Sequence, residues 1–296
     1  LCDMGYGKSF IANIGANSYK WVCVYLTVLK SAGVYVPIDK ELPFDDIVNV
    51  VSDSGSEVLF YAAKFEKEFM QNRDKFPGVK VFVGLERTED EGEFLSYDKL
   101  LEKGKEIVNS GKSEYGKVKS DENELKMLVY TSGTTGMAKG VMLTEHNLVS
   151  SVYYGLEVST VYDRCLSVLP YHHTYEAVSG LLVGIHHHST ICINDKLTSV
   201  LKNLQLFKPD YLYLVPAFAE LFYKKIWAEL KKKKIEKLFR AMLAVSNGLL
   251  KIGIDVRRKM FKSVIDNFGG NLVKIVCGGA PVLSEVGRFF DSIGIY

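Results

Sequence analysis

Lys126-Met-Leu-Val-Tyr-Thr131, running directly into Ser132-Gly-Thr-Thr-Gly-Met-Ala-Lys-Gly140, is the stretch that decides the fold. Its first half is an apolar, β-branched run of strand length, and its second half is a loop of small and hydroxyl residues. Gly133, Gly136 and Gly140 let the backbone take positive φ and come close to a ligand. Thr131, Ser132, Thr134 and Thr135, with the loop N–H groups, are donors suited to phosphate oxygens, and Lys139 adds a mobile positive charge. A strand that ends in such an anion cradle belongs to an α/β fold, where ligands sit beyond the carboxyl ends of the strands. The loop is not the common P-loop. With Gly133 as the first glycine of G-x-x-x-x-G-K-[ST], Ala138 stands where Gly belongs and Gly140 where the Mg²⁺-ligating hydroxyl belongs. A polar connection without a ligand rarely needs so many small and hydroxyl residues together.

Outward from this loop, apolar β-branched runs alternate with amphipathic stretches, which predicts parallel sheets covered by helices. Phe10–Ile14 reads as a strand, and Asn17-Ser18 as the cap of a helix reaching Leu29. Gly33 stands where a helix C-terminus favours a left-handed residue. Tyr35–Ile38 is extended, and a helix follows from Phe44 to Ser54, ending near Gly55. Strands at Val58–Tyr61 and Val79–Val83 bracket a helix over Lys64–Lys75, a βαβ rhythm. Residues 84–124 are the most polar stretch and read as an exposed connection, apart from a helix near Tyr97–Val108. Later strands are expected at Cys165–Leu169, Thr190–Ile193, Tyr211–Val215 and Leu272–Cys277. The lysine run Lys231–Lys234 is placed on a helix that continues to Arg240. There is no internal repeat and no low-complexity tract.

The 296 residues allow two ordinary domains or one large α/β domain. A net charge of +2 gives no overall attraction to a polyanion, and 47% hydrophobic with 24% charged residues excludes general disorder. Cys2, Cys23, Cys165, Cys192 and Cys277 are scattered, which argues against a disulfide scaffold or cysteine zinc site and for a reducing, cytoplasmic setting. The longest apolar stretch, Trp21–Leu29, is far short of the ~20 residues that span a bilayer. No signal peptide is visible. The chain opens at Leu1 and stops at Tyr296 just after an apolar run, which reads as a piece of a longer protein.

Tyr130–Gly140 resembles the signature of the adenylate-forming (AMP-binding) superfamily, which reads YTSGTTGxPKG, with Ala138 in place of the proline. Val141-Met-Leu-Thr-Glu-His-Asn-Leu148 is similar to the family's next segment, although Thr-Glu-His-Asn replaces the usual Thr-His-x-Asn, so His146 inherits no role. The resemblance covers essentially the whole chain. Asn17-Ser18 with Trp21 and Ala32–Asp39 look like the early segment, and Pro170-Tyr-His-His-Thr-Tyr-Glu176 looks like the second core motif, with His173 on the family's histidine. Cys277-Gly-Gly-Ala-Pro281, with Ser284-Glu285 and Phe289-Phe290, resembles the segment beside the acyl and adenine pockets. Glu176, the Gly-Gly-Ala-Pro wording and Leu214-Val-Pro-Ala217 are most like long-chain fatty-acyl-CoA synthetases, although Ala217 stands where that family generally has Arg.

The resemblance implies two packed sheet-and-helix lobes of the large N-terminal domain of such an enzyme, truncated at both ends. The first lobe (1–160) carries the phosphate loop, the second (161–296) is incomplete, and the small C-terminal catalytic domain is absent. It implies AMP-forming ligation: a fatty acid, long-chain in the favoured reading, is activated by Mg·ATP to acyl-AMP and pyrophosphate, and the acyl group then passes to coenzyme A. Thr131, Ser132, Gly133, Thr134, Thr135, Gly136 and Lys139 are the expected phosphate contacts. Gly278, Gly279, Ala280 and Pro281 form a close-approach wall for adenine or the acyl group, and His173 is the candidate on the acyl and pantetheine side. No metal-ligating residue is assigned. The Tyr-Gly-x-Thr-Glu motif, the ribose-binding Asp, the hinge and the C-terminal lysine are absent, so the chain alone is expected to be inactive. The alternatives are an adenylation domain or aryl- or amino-acid ligase of the same superfamily, and a noncatalytic nucleotide- or acyl-binding module.

Other features carry blander readings. His172-His173 are adjacent and do not face one metal site on a regular element, and His186–His188 form a turn before a strand. The lysines and apolar residues of 222–240 form a solvated helix face by default; the alternative is peripheral contact with an anionic membrane through the Lys231–Arg240 region. Similar lysines serve nucleic-acid binding, but no nucleic-acid module accompanies them. Most of the 17 Tyr and 16 Phe are expected to be ordinary core and surface residues.

Overall fold

The computed structural model describes residues 1–31, 33–119, 121–131 and 138–296. The chain forms two compact units, residues 1–151 with 170–174, and residues 152–169 with 175–296. Each is an α/β layer structure with its own core.

The first unit is built on a sheet of seven strands among the described residues, in the order β5-β4-β3-β1-β2-β6-β7. These are β1 (Phe10–Ile14), β2 (Val34–Ile38), β3 (Val58–Tyr61), β4 (Val81–Gly84), β5 (Phe94–Ser96), β6 (Leu125–Thr131) and β7 (Lys139–Thr144). All neighbours pair in parallel except β6 and β7. The central strands β2, β3 and β4 are buried at every position, as parallel strands covered on both faces must be. Helix α1 (Tyr19–Lys30) starts where Ser18 Oγ accepts from the Trp21 N–H at 3.1 Å. It buries Trp21, Val24, Tyr25 and Val28, the i, i+3, i+4, i+7 face of an amphipathic helix. The Trp21 ring lies 5.5 Å from Tyr25, 5.4 Å from Tyr35 and 5.1 Å from Tyr171, and full burial of a side chain of this size contributes roughly 2–3 kcal/mol. Helix α2 (Phe44–Asp53) buries Ile47, Val50 and Val51. Beyond β3 an aromatic cluster fills the core, with Phe69 5.3 Å from Phe76 and Phe82 stacked 4.6 Å from Phe94. The helices α3 (Glu66–Gln71) and α4 (Tyr97–Asn109) complete this unit.

The second unit has a parallel sheet in the order β11-β10-β8-β9, made of β8 (Arg164–Ser167), β9 (Thr190–Ile193), β10 (Tyr211–Leu214) and β11 (Lys274–Cys277). Helix α5 (Glu145–Val158) leads into it, and a π-helix (Tyr175–Leu182) runs on into α6 (Val183–His186). Then come α7 (Val200–Phe207), α8 (Pro216–Lys232), α9 (Glu236–Lys251), α10 (Arg257–Met260), α11 (Lys262–Asp266) and α12 (Ser284–Ser292). Their apolar faces meet in a core that includes Phe222, Phe239, Phe261, Phe268, Phe289 and Phe290.

Three local expectations are corrected. Gly33 is not left-handed; it is required because a Cβ there would lie 2.9 Å from the Ser9 carbonyl oxygen, where β1 and β2 begin. The span 64–75 is not one helix but a short α3 between two 3-10 turns. The lysine run does not continue one helix to Arg240: α8 stops at Lys232 and Lys234, at φ 57°, turns the chain into α9.

The Gly33 contact is with backbone, which cannot rotate away, so Gly33→Ala is expected to destabilise the first unit by about 1–3 kcal/mol. Gly78→Ala meets nothing within 4 Å and should stay within about 0.5 kcal/mol of wild type in chemical denaturation. Equal midpoints for the two variants would show that this contact does not constrain the fold.

Candidate functional site

The stretch expected to bind phosphate lies between β6 and β7. Antiparallel pairing sets Tyr130 opposite Gly140 and Thr131 opposite Lys139, so the loop leaves and returns at a defined base. A Cβ on residue 140 would lie 2.9 Å from Leu128 Cδ1 and 3.4 Å from Tyr130 Cζ, so Gly140 lets the Leu128 and Tyr130 side chains close over the chain there. The Tyr130 hydroxyl donates to Asp53 Oδ2 at 2.6 Å, at the last residue of α2. Burial and this carboxylate both hold the phenol pKa above its ordinary value. Thr131 and Lys139 are exposed at the hairpin base, where a hydroxyl donor and an ammonium can reach phosphate oxygens. The expected contacts Ser132, Gly133, Thr134, Thr135 and Gly136 lie outside the described residues.

Also in the first unit, Pro170–Thr174 is tied to the start of α1, where the Tyr171 N–H donates to Asn17 Oδ1 at 3.1 Å. His173 is exposed, its N–H donating to Pro170 O at 3.2 Å, and its ring lies 4.3 Å from that of His172. His172 is half-buried, with Nε2 3.5 Å from Asp39 Oδ2. Burial pushes its pKa down to about 4, Asp39 opposing, so the imidazole is neutral at neutral pH. No group of three or more His, Cys, Asp and Glu among the described residues could hold a metal ion.

In the second unit, Gly278–Pro281 follow β11, with Gly279 at φ 83°. A Cβ on residue 278 would lie 3.0 Å from Tyr175 Cζ, so Gly278 lets the Tyr175 ring close over the chain while its hydroxyl donates to Val276 O at 3.1 Å. Gly279, Ala280 and Pro281 are exposed. Next to Tyr175, Glu176 is 1% exposed on the π-helix, accepts from the Ser167 hydroxyl through Oε1, and leaves Oε2 without a hydrogen-bond partner. A Cβ at Gly180 would lie 2.7 Å from its carboxyl, so that glycine makes the room it occupies. Burial raises the Glu176 pKa from 4.5 to about 8, against the Ser167 hydrogen bond, so the acid is largely protonated at neutral pH. Sequence patterns assign no structural role to Glu176 or Asp53; the signal for Glu176 is a single carboxyl at the head of the apolar run Ala177–Gly184.

A family model described as AMP-binding enzyme matches residues 2–295. The chain belongs to that family. This AMP-binding chain is 28% identical over 308 residues to fatty acyl-CoA synthetase B of Dictyostelium discoideum, covering 96% of this chain and 45% of that protein. It is 25% identical over 314 residues to long-chain-fatty-acid–CoA ligase 5 of Rattus norvegicus, covering 98% and 45% respectively. It therefore spans about half the length of the curated relatives it matches. Among solved structures, the A-PCP didomain of carboxylic acid reductase from Segniliparus rugosus in complex with AMP shares the fold, with a TM-score of 0.70 and 19% identity over 96% of this chain and 41% of that one. The inhibitor-bound N-terminal domain of FACL13 from Mycobacterium tuberculosis gives a TM-score of 0.66 and 19% identity over 96% of this chain and 60% of that one. The fold is the one expected: mixed α/β, with a parallel-rich sheet and a second sheet, as in the N-terminal domain of adenylate-forming enzymes.

Because folded Glu176 keeps its proton up to about pH 8 while the unfolded chain releases it near 4.5, the folded state binds more protons between those values. Stability should fall as pH rises through that window, and Glu176→Gln should remove that part of the slope and raise the thermal midpoint at its alkaline end. An unchanged pH slope in the variant would mean that Glu176 is ionised in the fold.

Proposed function

We propose that this chain is part of an AMP-forming acyl-CoA synthetase acting on a fatty acid, with a long-chain acid as the favoured substrate. The observation that carries the reading is the hairpin base. Thr131 and Lys139 stand opposite each other around an eleven-residue motif of the family, in a chain whose relatives are named long-chain-fatty-acid–CoA ligases.

In the first step a carboxylate oxygen of the acid bonds to the α-phosphorus of ATP while the bond to the departing pyrophosphate breaks, leaving acyl-AMP. In the second step the thiol sulfur of coenzyme A bonds to the acyl carbonyl carbon, AMP leaves with the electron pair, and the thiol proton passes to solvent. The loop residues Thr131–Gly136 orient the β- and γ-phosphates, and the Lys139 ammonium stabilises charge growing on pyrophosphate. Mg²⁺ bound with ATP supplies further charge neutralisation and is assigned no residue of this chain. Gly278–Pro281 provide close backbone approach for adenine or the acyl group, and His173 contacts the acyl and pantetheine side.

The test is acid-dependent pyrophosphate release by the full-length protein with Mg·ATP and fatty, aryl or amino acids, each with and without coenzyme A. Release confined to fatty acids, with a thioester formed when coenzyme A is added, is expected. Lys139→Met should lower kcat/KM by at least about 10²-fold. Release with aryl or amino acids overturns the substrate, and ATP binding without release for any acid overturns the enzyme in favour of a binding module. Residues 1–296 alone should release no pyrophosphate, and turnover by that fragment would contradict the need for the missing motifs.

A further inference from the structure

Helix α9 carries an apolar face that the core does not use. Leu238 and Val245, seven residues apart, lie along one side of the helix, Ile252 follows at its C-cap, and the three are 61%, 56% and 71% exposed. Ile254, just past the helix, is 49% exposed, and Ala241, Ala244 and Gly248 widen the strip. The other side of α9 packs inward through Phe239 and Ser246, with Met242 and Leu243 against the core. The cations sit around the exposed side. Lys231–Lys234 occupy the tip between α8 and α9, and Lys237, Arg240 and Lys251 line the helix, all exposed. Residues 231–251 hold seven Lys and Arg against the single acid Glu236, in a chain whose net charge is only +2. Glu236 is engaged by Arg240 at 3.0 Å, and the next acid, Asp255, by Arg257 at 2.8 Å. Tyr223 and Trp227 stand beside this surface, with the Arg240 guanidinium 4.3 Å over the indole ring.

An aliphatic strip rimmed by cations, with Glu236 engaged by Arg240 and Glu229 the one further acid beside the lysine tip, has the composition of a helix that lies in the headgroup layer of an anionic bilayer. We propose that the exposed side of α9, together with the Lys231–Lys234 tip, docks this protein on the anionic leaflet of a phospholipid membrane. The aliphatic side chains enter the acyl boundary, and the lysines are drawn to the negative surface potential. Among the described residues no helix is long and apolar enough to cross a membrane. This surface goes beyond the proposed chemistry and does not rest on it.

Flotation of the full-length protein with phosphatidylcholine vesicles, with and without phosphatidylglycerol, tests the proposal. Binding should require phosphatidylglycerol and weaken with salt. Replacing Lys231, Lys232, Lys233 and Lys234 by Gln should lower the partition constant at least about tenfold. Leu238→Ser with Val245→Ser should do the same by removing the apolar part, and both variants should keep the wild-type thermal midpoint because these side chains are exposed. A probe on Val245→Cys should react freely without vesicles and shift to the blue when vesicles are added. Wild-type flotation by both variants, or flotation indifferent to phosphatidylglycerol, overturns the proposal. So does a Val245→Cys thiol that a soluble maleimide cannot reach in vesicle-free protein, since the face is then covered by protein.

Discussion

The candidate site hangs on one contact, the Tyr130 ring lying over Gly140 with its hydroxyl bound to Asp53. β7 is an edge strand whose residues Lys139–Met142 are exposed, so burial does not hold it in place. Its position comes from the ladder with β6, and β6 is in turn paired with β2 at Met127↔Tyr35. Asp53 joins this ladder to the end of α2 on the line where the loop begins. Thr131 and Lys139 face one another because that geometry holds.

Buried ionisable groups are accommodated in two ways. In the first, Lys126 is 2% exposed at the start of β6, and its ammonium donates to Ser31 O and Glu124 Oε2, both at 2.8 Å. Partners of that kind satisfy the donors of a buried amine. In the second, Glu176 has one partnered oxygen and one orphan, and burial keeps its proton on instead. His172 follows the second pattern, held neutral by burial although Asp39 lies 3.5 Å away. Each outcome follows from how many partners offset the loss of water.

Legibility in the sequence obeys the same physics. β1 and β3 are legible as short apolar runs of strand length because both faces are covered, and α1 and α2 because one-sided burial imposes a period of 3.6. β7 is not, since Lys139-Gly-Val-Met shows no alternation when neither face is covered. The break between α8 and α9 hides in a run of lysines, good helix formers, one of which, Lys234, takes the left-handed turn more often given to glycine. Gly33 reads as a helix cap but is demanded by the carbonyl of Ser9, far back along the chain, a contact local rules do not see. In the site, the glycines and hydroxyls of 131–140 announce anion binding by composition alone, whereas Asp53 and Glu176 matter through partners remote in sequence or through burial.

Transfer of oxygen from acid to nucleotide tests the central claim most directly. Full-length protein would be given fatty acid with a heavy-oxygen-labelled carboxylate, Mg·ATP and coenzyme A, and the nucleotide product examined by mass spectrometry. Attack of the carboxylate on the α-phosphorus predicts one labelled oxygen in the phosphate of AMP for each thioester formed. Label in inorganic phosphate with ADP as the nucleotide product, or thioester formation with unlabelled AMP, would contradict it.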